Sequence, residues 1–165
     1  MRRSDREITG AAEKLKILGG SKVCRLGLAA GGEPYIVPLN FGWSFNNGQL
    51  VLYFHGANEG KKLDIMRNNN RACFEVDGGH ALIDGHGDAF KYSFAYESVI
   101  GSGHIEFLES LTDKTYGLNR IMQHQSGKDT EYTFTGQQVK TVTVYRLVVD
   151  SFTGKRRNAP AAGQV

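Results

Sequence analysis

Gly60, Lys61 and Lys62 open a stretch, GKKLDIMRN, that reads as a short helix entered from a tight glycine turn. A helix N-terminus presents unpaired N–H groups and a partial positive charge, so it attracts anions. Two lysines there are unfavourable for the isolated helix, because cations suit the other end. A bound phosphate would offset that cost, which makes Lys61 and Lys62 candidate phosphate ligands; a solvated helix start is the alternative. The surrounding HGANEGKK is not a nucleotide P-loop. Too few residues separate Gly56 from Gly60, and Lys62 stands where a Ser or Thr must hold magnesium.

His55 ends the apolar run QLVLYFH just before that turn. An imidazole with a near-neutral pKa can donate a proton to a reduced substrate, or it can simply hydrogen-bond a bound cofactor. His80 and His86, with Asp84 and Asp88, lie in a glycine-rich stretch whose H-x5-H spacing fits no zinc pattern, so no metal is expected. His104 and His124 read as ordinary surface or edge histidines. Cys24 and Cys73 fall in apolar, strand-like runs and read as two buried thiols.

The elements that must position these residues follow from hydrophobic period and turn chemistry. Ser4 and Glu7 have capping-box spacing, with Ile8, Ala11, Ala12, Leu15 and Leu18 at helical spacing after them and Gly19–Gly20 ending the helix. Strands are expected at 22–29, 34–43, 49–55 and 71–77, with a helix at 59–68. The Asn-Gly of FNNG marks a hairpin. Residues 78–90 read as a loop, and strand character returns at 91–95 and 98–107. Ser110 and Asp113 open a helix carrying Leu111, Leu118, Ile121 and Met122 on one side. Residues 126–138 read as irregular, 140–149 as the last strand, and Gly154 onward as a fraying tail. Strands joined by tight turns are antiparallel, and about six of them with few helices point to a closed or partly closed barrel.

The chain has 165 residues, 40% of them apolar and 22% charged, with a formal net charge of +3. One domain with a real core is expected. Only Lys61–Lys62 and Lys155–Arg156–Arg157 form basic clusters, too little for a nucleic-acid face. No signal-peptide block and no membrane-length apolar run is present, so a cytoplasmic location is expected.

PYIVPLNFGW, LYFHGANEGKKLD and YESVIGSGHIEF, in this order after MRRSDREI, resemble the FMN-binding split-barrel superfamily of pyridoxamine 5′-phosphate oxidase. Within it the chain is most similar to the nitroimidazole-resistance (Nim-type) branch. The resemblance implies a mainly β fold: a six-stranded antiparallel split barrel with flanking helices, occupying 1–158 as a single domain, with a flexible tail at 159–165. It implies a homodimer with FMN at the subunit interface, acting as an oxidoreductase of the nitroreductase or flavin reductase kind.

It also implies residue roles. Ile36, Val37, Pro38, Leu39 and Asn40 would run beside the flavin ring, His55 and Gly56 would pass under the cofactor, and Lys61 and Lys62 would grip its phosphate. Ser98, Val99 and Gly101 would line it, Gly101 and Gly103 because strand glycines often mark close approach by a ligand; a β-bulge is the alternative. His55 is the candidate catalytic residue. Among the aromatics Phe41, Trp43, Tyr92, Phe94 and Tyr96, the candidates for substrate contact are Trp43 and Tyr92, while Phe41 and Phe94 suit core or interface. The Arg-x-His motif of pyridoxamine phosphate oxidase proper is absent, with Lys155, Arg156 and Arg157 in the tail instead, which argues against vitamin B6 oxidation. The expected acceptor is a small planar molecule such as a nitroaromatic, with NAD(P)H a candidate donor. Two other readings remain: a haem-binding or haem-degrading barrel using His55, and a flavin-binding sensor without turnover.

Overall fold

The computed structural model describes residues 3–159, which divide into two compact units. The larger unit holds 22–75 and 101–152, and the smaller holds 3–21, 76–100 and 153–159. The secondary structure is mainly β, with β1 (Glu7–Ile8), β2 (Val23–Ala30), β3 (Glu33–Asn40), β4 (Gly42–Asn46), β5 (Gln49–Gly56), β6 (Arg71–Ile83), β7 (Ser93–Phe107) and β8 (Thr143–Arg157). The helices are α1 (Ala11–Gly20), α2 (Lys61–Asn68), α3 (Leu111–Ser126) and α4 (Gly136–Lys140). Strand order is β3-β2-β6-β7-β8-β5-β4, with β1 paired to β8.

In the larger unit two hairpins start the sheet. β2 and β3 join through Gly31–Gly32, at φ 57° and 87°, and β4 and β5 through Asn47–Gly48, at φ 50° and 81°. Two central residues at positive φ are what a type I′ turn requires, so GG and NG set both registers. The inner face packs Leu26, Phe54, Phe74, Tyr145 and Leu147, all at most 1% exposed, with Phe54 stacked on Tyr145 at 5.6 Å. Tyr53 and Val144 lie under α3 and α4 with Leu118, Ile121 and Val139.

The expected strand 34–43 is in fact two strands, divided at Phe41. Phe41 is wholly buried, and its carbonyl oxygen accepts hydrogen bonds from Gln125 Nε2 at 2.9 Å and from His124 Nδ1 at 2.7 Å. Gly42 lies so close to α3 that a Cβ there would stand 2.2 Å from the Arg120 carbonyl carbon. The helix seats itself at Phe41–Gly42 and breaks the strand. His124 is therefore part of that seat rather than an ordinary surface histidine. This division and the short β1 bring the strand count to eight. On α3, Ser110 caps the first turn by accepting from the Asp113 N–H at 3.0 Å, as its spacing predicts. Leu118 and Ile121 are buried, but Leu111 and Met122 are exposed. Asn119 takes the buried place instead, holding the following segment through Nδ2 to the Tyr132 carbonyl at 3.0 Å. The stretch read as irregular contains α4, entered through a Thr135–Gln138 capping box.

The two cysteines differ. Cys24 is buried, and desolvation pushes its thiol up to about 12. Cys73 is exposed, because it falls on the outer register of β6, opposite Gly27 of β2.

In the smaller unit the chain does not follow the expected N-terminal helix. Ser4–Arg6 is a 3-10 turn and Ile8 is in a strand, pairing with Gly154. Burial of Ile8 against β8 wins over the capping-box spacing, and α1 starts only at Ala11. β8 pairs with β1 at Gly154 and Lys155 and runs on to Arg157, so the segment after Gly154 is a strand rather than a frayed tail. β6 likewise runs to Ile83 through a stretch read as loop. Its last residues are mostly exposed and are held by the backbone ladder rather than by an alternating apolar pattern. Of the expected tail, residues 160–165 lie outside the described residues, as do Met1 and Arg2.

β7 meets β8 in the larger unit at unusually short range. A Cβ at Gly103 would stand 2.0 Å from the Val148 carbonyl oxygen. Gly103→Ala therefore forces the two strands apart and is expected to cost at least about 3 kcal/mol, at the top of the range for overpacking; chemical denaturation of the two proteins measures it.

Candidate functional site

The end of β5, the turn after it and the start of α2 form one constellation in the larger unit. Gly60 is the N-cap of α2 at φ 129°, a conformation closed to most side chains. No side chain caps the first turn; the Leu63 N–H donates to the Gly60 carbonyl at 2.8 Å, and the Lys61 and Lys62 N–H groups stay open toward solvent or a ligand. Leu63, Ile65 and Met66 bury the opposite face of the helix and fix its direction. The turn itself is tied down by Asn58, which donates to the Lys140 carbonyl at 3.0 Å and accepts from the Thr143 hydroxyl at 3.0 Å.

The two lysines are placed differently. Lys62 is half-buried and folds back along the strand end, where a Cβ on Gly56 would stand 3.1 Å from its Nζ. Only a glycine leaves that ammonium its seat without a shift. Lys61 is exposed, and its Nζ lies 5.0 Å from the centroid of the Tyr35 ring on β3. No carboxylate pairs with either lysine among the described residues. His55 precedes Gly56. Partial desolvation, and then the charge of Lys62, hold its imidazole below the usual pKa. His55 is thus neutral at pH 7, one nitrogen carrying a proton and the other free to accept a hydrogen bond.

The sequence-predicted residues divide accordingly. His55, Gly56, Lys61 and Lys62 come together. Ile36, Val37, Pro38, Leu39 and Asn40 all lie on β3, where Ile36 is 68% exposed. The Asn40 side chain is already engaged, donating to the Lys22 carbonyl and to Gln125 Oε1, both at 3.1 Å. Gly101 belongs to the larger unit, and protein fills the space beside it: a Cβ there would stand 2.5 Å from the Phe74 ring and 2.7 Å from the Ser151 oxygen. Close approach of β8 accounts for that glycine, as it does for Gly103. Ser98 and Val99 belong to the smaller unit, where Val99 is wholly buried. Trp43, half-buried on β4, and Tyr92, which is exposed, fall in different units. Phe41 is core, while Phe94 is half-exposed. Among the described residues no cluster of three or more His, Cys, Asp or Glu is placed to hold a metal. His80 instead pairs with Asp77 at 2.9 Å.

Tyr35 and Asn58 are the residues of this constellation that the sequence did not single out. Tyr35 lies within the quoted strand motif, but nothing in its spacing shows which face meets α2. The partners of Asn58 are more than 80 residues away.

Residues 10–156 match the family model described as pyridoxamine 5′-phosphate oxidase. The chain belongs to the pyridoxamine 5′-phosphate oxidase family. The family's FMN-binding split-barrel class agrees with the antiparallel sheet and flanking helices. A candidate 5-nitroimidazole antibiotic resistance protein from Bacteroides thetaiotaomicron is 31% identical, with a TM-score of 0.78 over 91% of this chain and 86% of that one. A FAD-binding protein from Mesorhizobium loti is 26% identical, with a TM-score of 0.65 over 93% and 98% of the two chains. A FAD and heme binding protein from Mycobacterium smegmatis shares the fold at 18% identity, with a TM-score of 0.78 over 93% and 74%. No curated protein matches the chain. No helix among the described residues is long and apolar enough to cross a membrane.

The His55–Lys62 coupling is directly measurable. The folded pKa of His55 lies below the unfolded value of about 6.5. The unfolded chain therefore takes up the proton first, and this group removes stability as pH falls below that value, with no effect above it. Lys62→Ala deletes the second cause and moves the His55 pKa upward, toward the ordinary value. The Cε1–H resonance of His55, followed by NMR against pH in both cofactor-free proteins, reads the shift. An unchanged midpoint means the ammonium does not face the imidazole.

Proposed function

We propose that this member of the family is an FMN-dependent oxidoreductase that passes electrons to a small planar acceptor, with nitroaromatics the leading class. The observation that carries the reading is the open N-terminus of α2 with two lysines whose charge no carboxylate balances. The donor set fits a phosphate monoester: two backbone N–H groups, two ammonium groups and an imidazole, with no carboxylate paired to either lysine among the described residues. The alternative phosphate, that of a nucleoside triphosphate, lacks the hydroxyl needed for magnesium.

FMN, when bound, would supply the redox chemistry, and the protein would supply binding, orientation and exclusion of competing reactions. Lys61 and Lys62 would hold the phosphate, with Lys61 leaving the Tyr35 ring to do so. The exposed edge of β3, from Ile36 to Asn40, would offer backbone groups to the polar rim of the ring. His55, neutral at pH 7, would carry a proton on one nitrogen and could give it to a reduced acceptor. No dinucleotide fingerprint is present in the sequence, so a nicotinamide donor would bind transiently rather than in a fold of its own. The similarity to the Bacteroides protein supports the nitroaromatic class, and the similarity to the Mesorhizobium protein supports a flavin.

A homodimer belongs to the same reading. Leu82, Tyr92 and Phe94 in the smaller unit are each about half or more exposed, and Phe90 is fully exposed at the tip of a turn capped by Asp88. Such a run of apolar side chains suits coverage by a second copy.

The test begins with the absorption spectrum of the purified protein and the small molecule it releases on denaturation. Released FMN supports the reading, whereas a haem Soret band moves His55 to an axial ligand. In FMN titrations, Lys61→Ala/Lys62→Ala is expected to raise the dissociation constant at least tenfold, since each charge-assisted contact contributes about 1.5–3 kcal/mol. Equal affinity removes the phosphate assignment. His55→Ala is expected to keep FMN and slow reduction of a nitroaromatic. Loss of FMN from that variant makes His55 a cofactor ligand only.

A further inference from the structure

In the larger unit a cavity of about 640 Å³ lies between α3 and the segment that follows it, with Arg120, Asp129 and Glu131 among its lining residues. That volume is in the range of sites that take a small molecule. Its wall is held by hydrogen bonds. Asn119, buried on α3, donates from Nδ2 to the Tyr132 carbonyl at 3.0 Å and accepts from the Tyr132 N–H at 2.6 Å. Gln123 donates to the Thr130 carbonyl at 3.2 Å. The backbone at 130 and 132 is thus tied to the helix, and Asp129 and Glu131, which alternate with those residues, line the cavity.

The charges that line it do not neutralise one another. Among the described residues Asp129 and Glu131 have no cation within ion-pair distance, and Arg120 has no carboxylate. Arg120 is held in other ways. Its guanidinium lies 5.3 Å from the Tyr116 ring centroid. Its backbone packs on Gly42 so closely that a Cβ there would stand 2.2 Å from its carbonyl carbon. Its Nε is buried and has no hydrogen-bond partner among the described residues. An arginine fixed in place with donor capacity unused is prepared for an acceptor that the protein does not supply. Leu111 and Tyr116, 55% and 44% exposed, give the same cavity an apolar side.

We propose that this cavity binds a small zwitterion with an apolar body, of the α-amino acid class. The ligand's carboxylate pairs with the Arg120 guanidinium, and its ammonium pairs with Asp129 and Glu131. Leu111 and Tyr116 take the apolar side chain. A ligand carrying only a carboxylate would meet two like charges, and one carrying only an ammonium would leave the guanidinium unmatched. The site shares no residue with the lysine pair of α2, so the inference does not depend on flavin binding.

The experiment titrates L-phenylalanine, phenethylamine and phenylpropionate separately into the isotope-labelled protein at constant ionic strength. The three probes share a ring and differ in the charged groups they carry. Backbone amide shifts at 111–123 and 129–131 are followed by NMR. Saturating shifts are expected with L-phenylalanine, and each one-charge analogue is expected to bind at least about tenfold more weakly. Arg120→Gln is expected to weaken L-phenylalanine by at least about tenfold and to leave phenethylamine no weaker. Asp129→Asn/Glu131→Gln is expected to weaken L-phenylalanine as much and to leave phenylpropionate no weaker. Both of its positions are exposed, and it serves alone if Arg120→Gln does not fold. Lys61→Ala/Lys62→Ala is expected to leave L-phenylalanine affinity unchanged. The absence of saturable shifts with L-phenylalanine, equal affinity for the three probes, or an L-phenylalanine affinity unchanged in both charge variants overturns the site.

Discussion

The contact between β7 and β8 is the constraint on which the larger unit depends. Gly101 and Gly103 alternate with residues of the outer face, and each leaves a gap that the backbone of β8 fills to within contact. β8 in turn pairs with β5 along His55–Gly56 and carries Tyr145 onto the Phe54 ring. Any side chain on Gly103 would push β8 outward and with it the strand end that seats Lys62. The register Gly56↔Thr143 also places the Thr143 hydroxyl on Asn58, so the turn before α2 inherits its position from the same strand. Packing inside the sheet and geometry at its rim are therefore one problem, solved by residues that have no side chain at all.

How far the sequence could be read depended on the range of the interaction that decides each element. The turns at Gly31–Gly32 and Asn47–Gly48 are local, and the second was legible as a hairpin from its Asn-Gly pair. The Ser110 cap and the lysine-led start of α2 are local too, and the turn, helix and strand sequence around Lys61–Lys62 was clear. What failed was decided at a distance. Phe41 breaks a continuous apolar run because α3, more than eighty residues later, grips its carbonyl. Ile8 leaves a plausible helix because Gly154 offers it a strand partner. The glycines at 101 and 103 read as ligand approach or bulge from sequence, while the close neighbour is the strand beside them. Of the candidate site, the charged centre was visible because charge at a helix end is a local signal. Tyr35 and Asn58 were not visible, since their roles rest on contacts made across the sheet.

The charged groups of this protein fall into two kinds, and the difference bears on function. Arg71, Arg146 and Arg156 are fixed by carboxylates, at 2.8 Å to Asp150, 2.7 Å to Glu106 and 3.0 Å to Glu97. Those guanidinium groups tie strands of the sheet to one another and offer little to a ligand. Lys61 and Lys155 instead rest near tyrosine rings, at 5.0 Å and 6.0 Å from the centroids. A cation–π contact at an exposed site contributes only about 0.5–1 kcal/mol. A charge-assisted bond to a phosphate contributes more than that, about 1.5–3 kcal/mol. A tyrosine therefore orders the ammonium before binding and releases it at small cost, whereas a carboxylate in the same place would have to be displaced by the incoming anion. Among the described residues neither of these two lysines has an acidic partner, whereas most of the arginines do, so an anion reaching either lysine displaces a ring contact and not a carboxylate.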